Sequence, residues 1–114
     1  MLHQMKLAPA SFSKIRNRTK TIELRLYDGK RRKIQIGDKI VFVNTGNSLE
    51  TLEAEVVDLF VFDSFKTLYG ELPLLECGYD ESDVDTASPD DMNVYYTKEA
   101  QEKYGVVGIK IRLC

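Results

Sequence analysis

Apolar and polar residues alternate along several stretches of the chain, with the period of two that is typical of half-buried β-strands. The alternating stretches are 20–26 (KTIELRL), 49–62 (LETLEAEVVDLFVF) and 106–113 (VVGIKIRL), and an apolar run over 40–43 predicts a further strand. In the last stretch, Val107, Ile109 and Ile111 share one face and are expected to point into the core. Each alternating strand thus has one side for the core and one side for solvent or for a site.

Three stretches between these strands have the chemistry of short helices. In residues 7–19 (LAPASFSKIRNRT), Pro9 suits a first helical turn, Phe12 and Ile15 mark the inward face, and the helix is expected to end near Arg18. Residues 64–70 form a second candidate helix, which Asp63 is expected to cap.

The third helical region follows residue 87 and is delimited by caps. Ser88 and Asp91 form a Ser-x-x-Asp capping box, Thr97 can cap a second helical piece, and Gly105 is placed to end it. Tyr96, Ala100 and Tyr104 recur at a spacing of four, which predicts a stripe that packs on the core.

Strands with interspersed helices predict an α+β fold. The expected architecture is a small β-barrel or strongly curved sheet of about five to six strands, with helices that cover its open ends. The chain has 114 residues, 43% of them hydrophobic, which is enough for a core without disulfide or metal staples. We expect one domain over residues 1–114.

The charges are unevenly distributed along the chain. Residues 14–39 contain ten Lys and Arg residues and three acids, so this segment has a charge of +7. Because the net charge of the whole chain is −2, the other 88 residues together carry −9. Such an asymmetry suggests contact with a polyanion, although a solvated basic turn at residues 30–33 (KRRK) explains it equally well. Residues 79–91 are instead rich in Asp and Glu, and we interpret them as an acidic surface loop.

Other classes of protein find little support in the sequence. The apolar runs are too short to span a membrane, and the N-terminus lacks the pattern of a secretory signal. Cys77 and Cys114 lack metal-like or redox-like spacing, so we expect no disulfide partner and a reduced, cytoplasmic protein. His3 is the only histidine and stands in a terminus expected to be mobile, so no metal site and no cofactor are expected.

The remaining candidate chemistry lies in the strand that begins at Lys20. Glu23 and Arg25 share a face of this strand, and Lys20, at the helix-to-strand junction, can swing toward Glu23. Such a cluster can recognise a planar polar ligand or transfer protons. The alternative is a surface ion pair worth ~0–1 kcal/mol, which the spacing alone favours.

A resemblance shifts this balance toward a functional site. Lys20, Glu23 and Arg25 match the last three marked positions of Gly-x-Lys-x-x-Glu-x-Arg, the pattern of the ASCH family, while Arg18 stands where that family has glycine. Residues 31–42 (RRKIQIGDKIVF) and 102–111 (EKYGVVGIKI) also resemble segments of this family, which is related to the PUA-type RNA-binding barrels.

The resemblance implies a PUA-like barrel and a cleft between barrel and helices that binds RNA or a modified nucleoside, in RNA processing or translation regulation. Lys20, Glu23 and Arg25 would contact the ligand, and Tyr95 would offer a stacking face, whereas core packing is the better interpretation for Tyr96 and Tyr104. Phosphates would be contacted by four basic residues: Arg18, Arg31, Arg32 and Lys33.

Two other classes of function remain open. Some relatives of this family resemble N4-acetylcytidine amidohydrolases, and another is a ribonuclease; in a hydrolase of either type Lys20 and Glu23 would be catalytic. The amidohydrolases use a lysine, a threonine three residues later and a later glutamate. Here Glu23 takes the threonine position, Thr21 has the wrong spacing, and Glu71 is the candidate for the later glutamate. The third class is a protein-interaction module that uses the acidic loop 79–91.

Overall fold

The computed structural model describes all 114 residues and contains one five-stranded sheet with three flanking helices. The strands are β1 (Leu2–Leu7), β2 (Ile22–Leu26), β3 (Lys39–Asn44), β4 (Asn47–Phe62) and β5 (Val106–Leu113), and the helices are α1 (Pro9–Arg16), α2 (Phe65–Glu71) and α3 (Lys98–Tyr104). Short 3-10 turns lie at Arg31–Lys33, Leu74–Glu76, Val84–Thr86 and Pro89–Val94. The strand order is β1-β3-β4-β5-β2, with β1 parallel to β3 and all other pairs antiparallel. The α+β prediction is confirmed, and none of the helices has the length and apolar character needed to cross a membrane.

The N-terminus is an ordered edge strand, so the expectation of a mobile terminus is wrong. β1 pairs with β3 along its length and buries Met5 and Leu7. His3 Nε2 lies 2.8 Å from Asp38 Oδ2, and the terminal amine lies 3.2 Å from Asp38 Oδ1. The alternation of apolar and polar residues is weak in this stretch because only two side chains of the edge strand, Met5 and Leu7, are buried in the core.

One core fills the space between the sheet and α1. Phe12 and Ile15 of α1 are buried there, as their spacing predicted. The predicted inward faces of β4 and β5 meet the same core through Ala54, Val56, Val107, Ile109 and Ile111. The strand faces were predictable because the period of two fixes which side chains point the same way.

A second core lies between β2, α2 and the segment 72–96. The apolar face of β2 packs there on Phe65, Leu68 and Met92. Tyr96, Ala100 and Tyr104 also pack on this core, which confirms the predicted stripe. The charged face of β2 consequently points away from the second core.

The helix caps are largely as predicted, with small shifts. Ser88 and Asp91 form both halves of the capping box, but the element that they start is a 3-10 helix. Thr97 accepts a hydrogen bond from the Ala100 N–H. Ser64, and not Asp63, is the N-cap of α2, because the Ser64 hydroxyl accepts from the backbone N–H of Thr67.

The turn between α1 and β2 depends on a left-handed residue. Arg18 has a φ of +67°, the only positive φ at a non-glycine residue, and it occupies the position where the family pattern has glycine. α1 ends at Arg16, and the N–H groups of Thr19 and Lys20 both bond to the carbonyl of Lys14. This turn reverses the chain and brings Lys20 to the start of β2.

We therefore expect Arg18→Gly to stabilise the protein. The left-handed conformation is costly for a residue with a Cβ atom, and glycine removes this cost. Glycine also gives the unfolded chain more conformational entropy, which opposes the gain, so the net increase in the free energy of unfolding should be about 0.5–1 kcal/mol. Urea unfolding measures it. Asn17→Gly is the control, because Asn17 has a φ of −81° and glycine there should only destabilise. A loss of stability in Arg18→Gly would contradict the strained turn.

The contacts of Asp38 predict a specific dependence of stability on pH. The hydrogen bond with His3 and that from the Gln35 N–H hold the pKa of Asp38 at about 2, against an ordinary value of 3.8. The carboxylate therefore stabilises the fold fully above pH 3.8, and this contribution is lost as the pH falls toward 2. At neutral pH the Asp38→Asn variant should have a lower melting temperature than the wild type. The difference between the two melting temperatures should shrink as the pH falls from 3.8 toward 2. Asp90→Asn, at an exposed acid, should show no such convergence.

Candidate functional site

The charged cluster at the start of β2 is buried and is therefore not a solvated surface. Glu23 is only 4% exposed and Lys20 only 8%. Lys20 Nζ lies 2.7 Å from Glu23 Oε1, and Arg25 Nε lies 2.6 Å from Glu23 Oε2. The predicted swing of Lys20 toward Glu23 is present, and both carboxylate oxygens are engaged by cations.

The two cations keep Glu23 ionised. Burial alone would raise the pKa of Glu23, but Lys20 and Arg25 together outweigh it through charge and hydrogen bonds, so the pKa lies below its usual value. Glu23 is therefore a good hydrogen-bond acceptor and a weak base at neutral pH. Of the two cations, Lys20 lowers the pKa of Glu23 more than Arg25 does.

Neighbouring groups fix the two cations in place. Arg25 Nη2 donates to the carbonyl oxygen of Lys6 at 2.7 Å, which ties the site to β1. Lys20 Nζ lies 3.4 Å from Ser11 Oγ, and its aliphatic stem passes Gly78, where a Cβ atom would lie 3.3 Å from Lys20 Cδ. Gly78 also has a φ of +113°, so this position strongly favours glycine.

The cluster lines a cleft with a volume of about 530 Å³, a size typical of small-ligand sites. Four cations line it, from β1, α1 and the start of β2: Lys6, Lys14, Lys20 and Arg25. Four tyrosines and two further acids line it from α2 and the segment that follows: Tyr69, Tyr79, Tyr95, Tyr96, Asp83 and Asp91. The cleft thus combines a cationic region with an aromatic, acidic one.

Hydrogen bonds organise the aromatic region. Tyr69 Oη and Tyr79 Oη are 2.7 Å apart, and the Tyr79 hydroxyl donates to Asp91 Oδ2 at 2.7 Å. Tyr96 stacks on Phe65 with centroids 6.2 Å apart, so it serves the second core and the cleft at once. Tyr95 is 69% exposed at the rim. The acidic loop 79–91 is therefore one wall of the cleft.

The other basic residues named from the sequence lie outside the cleft lining. Arg18 borders a separate cavity of about 160 Å³. Arg31 pairs with Asp28 at 2.9 Å, and Arg32 lies 4.4 Å above the Tyr27 ring and donates to the Tyr104 carbonyl. Lys33 is exposed, and the contact of these residues with phosphate stays a prediction.

Sequence reasoning missed several lining residues because they come from distant parts of the chain. Lys14 Nζ donates to the carbonyl of Gly78 at 2.6 Å, across 64 positions. Ser11 lies one helical turn before Lys14, a spacing that was visible in the sequence once a helix was placed there. No comparable local signal marked Tyr69 and Tyr79.

The set of side chains used by the amidohydrolases is not assembled in the cleft. Thr21 donates to Glu76 Oε1 at 2.9 Å and does not line the cleft, and Glu71 is exposed at the end of α2. No group of three or more His, Cys, Asp or Glu side chains is arranged to hold a metal ion, and both cysteines are free.

Comparison with known sequences identifies the class of protein. The ASCH domain model matches residues 5–114, nearly the whole chain. The chain therefore belongs to the ASCH domain family, which confirms the resemblance drawn from the Lys20, Glu23 and Arg25 motif. No curated protein matches the chain.

Solved structures agree with this assignment. The crystal structure of the hypothetical protein PH0355 has 32% identity, covers 100% of both chains and superposes with a TM-score of 0.79. The solution structure of protein PF0455 from Pyrococcus furiosus has 32% identity, covers 99% of this chain and 97% of that one, and has a TM-score of 0.71. ASCH from Zymomonas mobilis has 16% identity and a TM-score of 0.63 over 96% of this chain and 65% of its own, a likeness in fold alone. The sheet is thus the PUA-like half-barrel that the resemblance implied.

The buried cluster predicts strong energetic coupling between Lys20 and Glu23. Glu23→Gln leaves two cations without their anion and should cost about 3 kcal/mol in the free energy of unfolding. Lys20→Met should cost less, because Arg25 still pairs with Glu23. When stability is measured by urea unfolding, the double variant should lose about 1–3 kcal/mol less than the sum of the losses in the two single variants.

The surface pair Arg16–Glu50 is the matched control for this measurement. Its atoms are 3.0 Å apart, but both side chains are more than 40% exposed, so its coupling should stay below about 1 kcal/mol. Equal coupling in the two pairs would mean that the Lys20–Glu23 pair is an ordinary surface ion pair.

Proposed function

We propose that this ASCH protein binds RNA and takes one unpaired nucleoside, ordinary or modified, into the cleft. The observation that carries the proposal is the buried carboxylate of Glu23, held between Lys20 and Arg25 inside a cleft that tyrosines also line. RNA processing and translation regulation are the roles that family membership suggests.

A contribution to stability does not by itself explain why Lys20, Glu23 and Arg25 form a buried cluster. Replacing a buried ion pair by well-packed apolar residues is often neutral or stabilising, so this arrangement gives the fold little advantage. A few fixed polar groups in a partly apolar pocket are, in contrast, the usual means of orienting a small ligand.

The unused hydrogen-bonding capacity of the cluster suits a nucleobase. Glu23 retains acceptor lone pairs for a base amino group, and Arg25 Nη1 remains to donate to a base carbonyl. Recognition of RNA sequence commonly relies on splayed-out bases that stack on aromatic rings. Tyr95, exposed at the rim, offers such a ring.

Binding is favoured over hydrolysis by the state of Glu23. A base that activates water needs a pKa near neutral, whereas Lys20 and Arg25 hold the pKa of Glu23 below its usual value. Glu23 also lacks the hydroxyl that stands at this position in the amidohydrolases. Arg18, Arg31, Arg32 and Lys33 would add phosphate contacts outside the cleft, weakened where Arg31 and Arg32 already have partners in the chain.

The proposal predicts the following result in a titration with single-stranded RNA of random sequence. Glu23→Gln should weaken binding because a charged acceptor is lost. Tyr95→Ala should weaken it by about 1–3 kcal/mol, whereas Tyr95→Phe, which keeps the ring, should bind like the wild type. Affinity should fall as salt rises, with a slope of about −0.7 for each phosphate neutralised.

Two outcomes would count against this function. If the protein does not bind RNA at low salt, the proposed RNA-binding function is wrong. Release of acetate from N4-acetylcytidine that disappears in both Lys20→Ala and Glu23→Gln would instead make the protein an amidohydrolase with a carboxylate base. We expect no such release.

A further inference from the structure

The cationic region of the cleft has a centre where two lysines converge. Lys14 Nζ is bonded to the carbonyl of Gly78, and Lys20 Nζ would lie 3.8 Å from a Cβ atom at the same residue. Ser11 Oγ lies 3.4 Å from Lys20 Nζ, one helical turn before Lys14 on α1. All three side chains line the cleft.

The remaining hydrogen-bonding capacity at this centre is mainly that of donors. The ammonium of Lys14 has one partner, the Gly78 carbonyl, so two of its three hydrogens are unused. Lys20 uses one hydrogen on Glu23 and a second, over a longer distance, on Ser11. Ser11 then accepts from Lys20 and has its own hydroxyl hydrogen free.

The charges at this centre do not cancel. Lys20 pairs with Glu23, and Arg25 already shares that carboxylate. The other acids of the cleft, Asp83 and Asp91, form no ion pair with Lys14 or Lys20: Asp91 accepts from Tyr79 and from the Ser88 N–H, and Asp83 accepts from the Asp80 N–H. Two ammonium groups beside one shared carboxylate leave a local positive charge, which an anion with several acceptor oxygens would neutralise.

We infer that Ser11, Lys14 and Lys20 form a subsite for the phosphate of the nucleotide whose base occupies the rest of the cleft. The inference rests on the proposed function and deepens it, since it makes the occupant a phosphate-bearing nucleotide and not a free nucleoside. It also places a phosphate contact inside the cleft, separate from the outer residues Arg18, Arg31, Arg32 and Lys33.

The direct test compares nucleosides with their monophosphates. Cytidine, adenosine, guanosine and uridine, and their 5′- and 3′-monophosphates, are titrated into the protein by calorimetry at low salt. The best monophosphate should bind about tenfold more tightly than its nucleoside, because charge-assisted hydrogen bonds to phosphate are added. Inorganic phosphate should compete with the monophosphate and not with the nucleoside.

Two variants, each with a matched control, locate the subsite. Ser11→Ala and Lys14→Gln should each reduce the ratio of monophosphate affinity to nucleoside affinity several-fold. Ser13→Ala, in the same helix but outside the cleft lining, and Lys30→Gln, an exposed lysine outside it, should leave the advantage intact. Ser11→Ala keeps the test valid if Lys14→Gln fails to fold, because alanine suits a helix well.

The failures of the two proposals are distinguishable. Equal affinity for nucleoside and monophosphate would overturn the subsite and leave RNA binding in the cleft standing. An advantage that persists unchanged in both Ser11→Ala and Lys14→Gln would overturn its placement. Absence of binding to nucleosides, monophosphates and RNA would overturn both the subsite and the proposed function.

Discussion

A buried carboxylate needs compensation, and the way in which Glu23 obtains it shapes the surrounding structure. Without Lys20 and Arg25 the ionised group would pay a large desolvation cost or take up a proton. Lys20 reaches Glu23 because the left-handed turn at Arg18 brings it to the start of β2. Arg25 is in turn held by the Lys6 carbonyl of the edge strand. The site therefore depends on the strained turn and on the N-terminal strand.

The cluster can be polar because the two cores leave one face of β2 unused. Ile22, Leu24 and Leu26 fill the second core, and the opposite side chains open into the cleft. The segment after α2 closes that cleft through Gly78, whose missing side chain makes room for the stem of Lys20. A larger residue at Gly78 would displace the side chain of Lys20 as well as the loop. Packing and electrostatics are therefore coupled at Gly78.

The sequence was informative where a signal is local. The period of two identified the core faces of β4 and β5, capping chemistry placed Ser88, Thr97 and Gly105, and the match of Lys20, Glu23 and Arg25 to the ASCH pattern marked the candidate site. It was less informative where contacts are distant. Pairing of β1 with β3 depends on residues far apart in the chain, and so does the convergence of Lys14 and Tyr79 on the cleft. Partners also change what a residue can offer: Arg31 and Arg32 look like free cations in sequence, but each is engaged within the chain.

The identity of one residue determines which chemistry the site favours. With glutamate at position 23, Lys20 has an anionic partner, and the contacts of Glu23 with Lys20 and Arg25 keep the pKa of the carboxylate below its usual value, so that it is a weak base. Threonine at this position, as in the amidohydrolases, would remove that anion. The lysine would then lie beside a hydroxyl group, which is the kind of side chain that a neighbouring base activates as a nucleophile. With glutamate, the site has a fixed array of charges and hydrogen bonds in place of a lysine–hydroxyl pair, and the proposed binding of a nucleoside relies on such a fixed array.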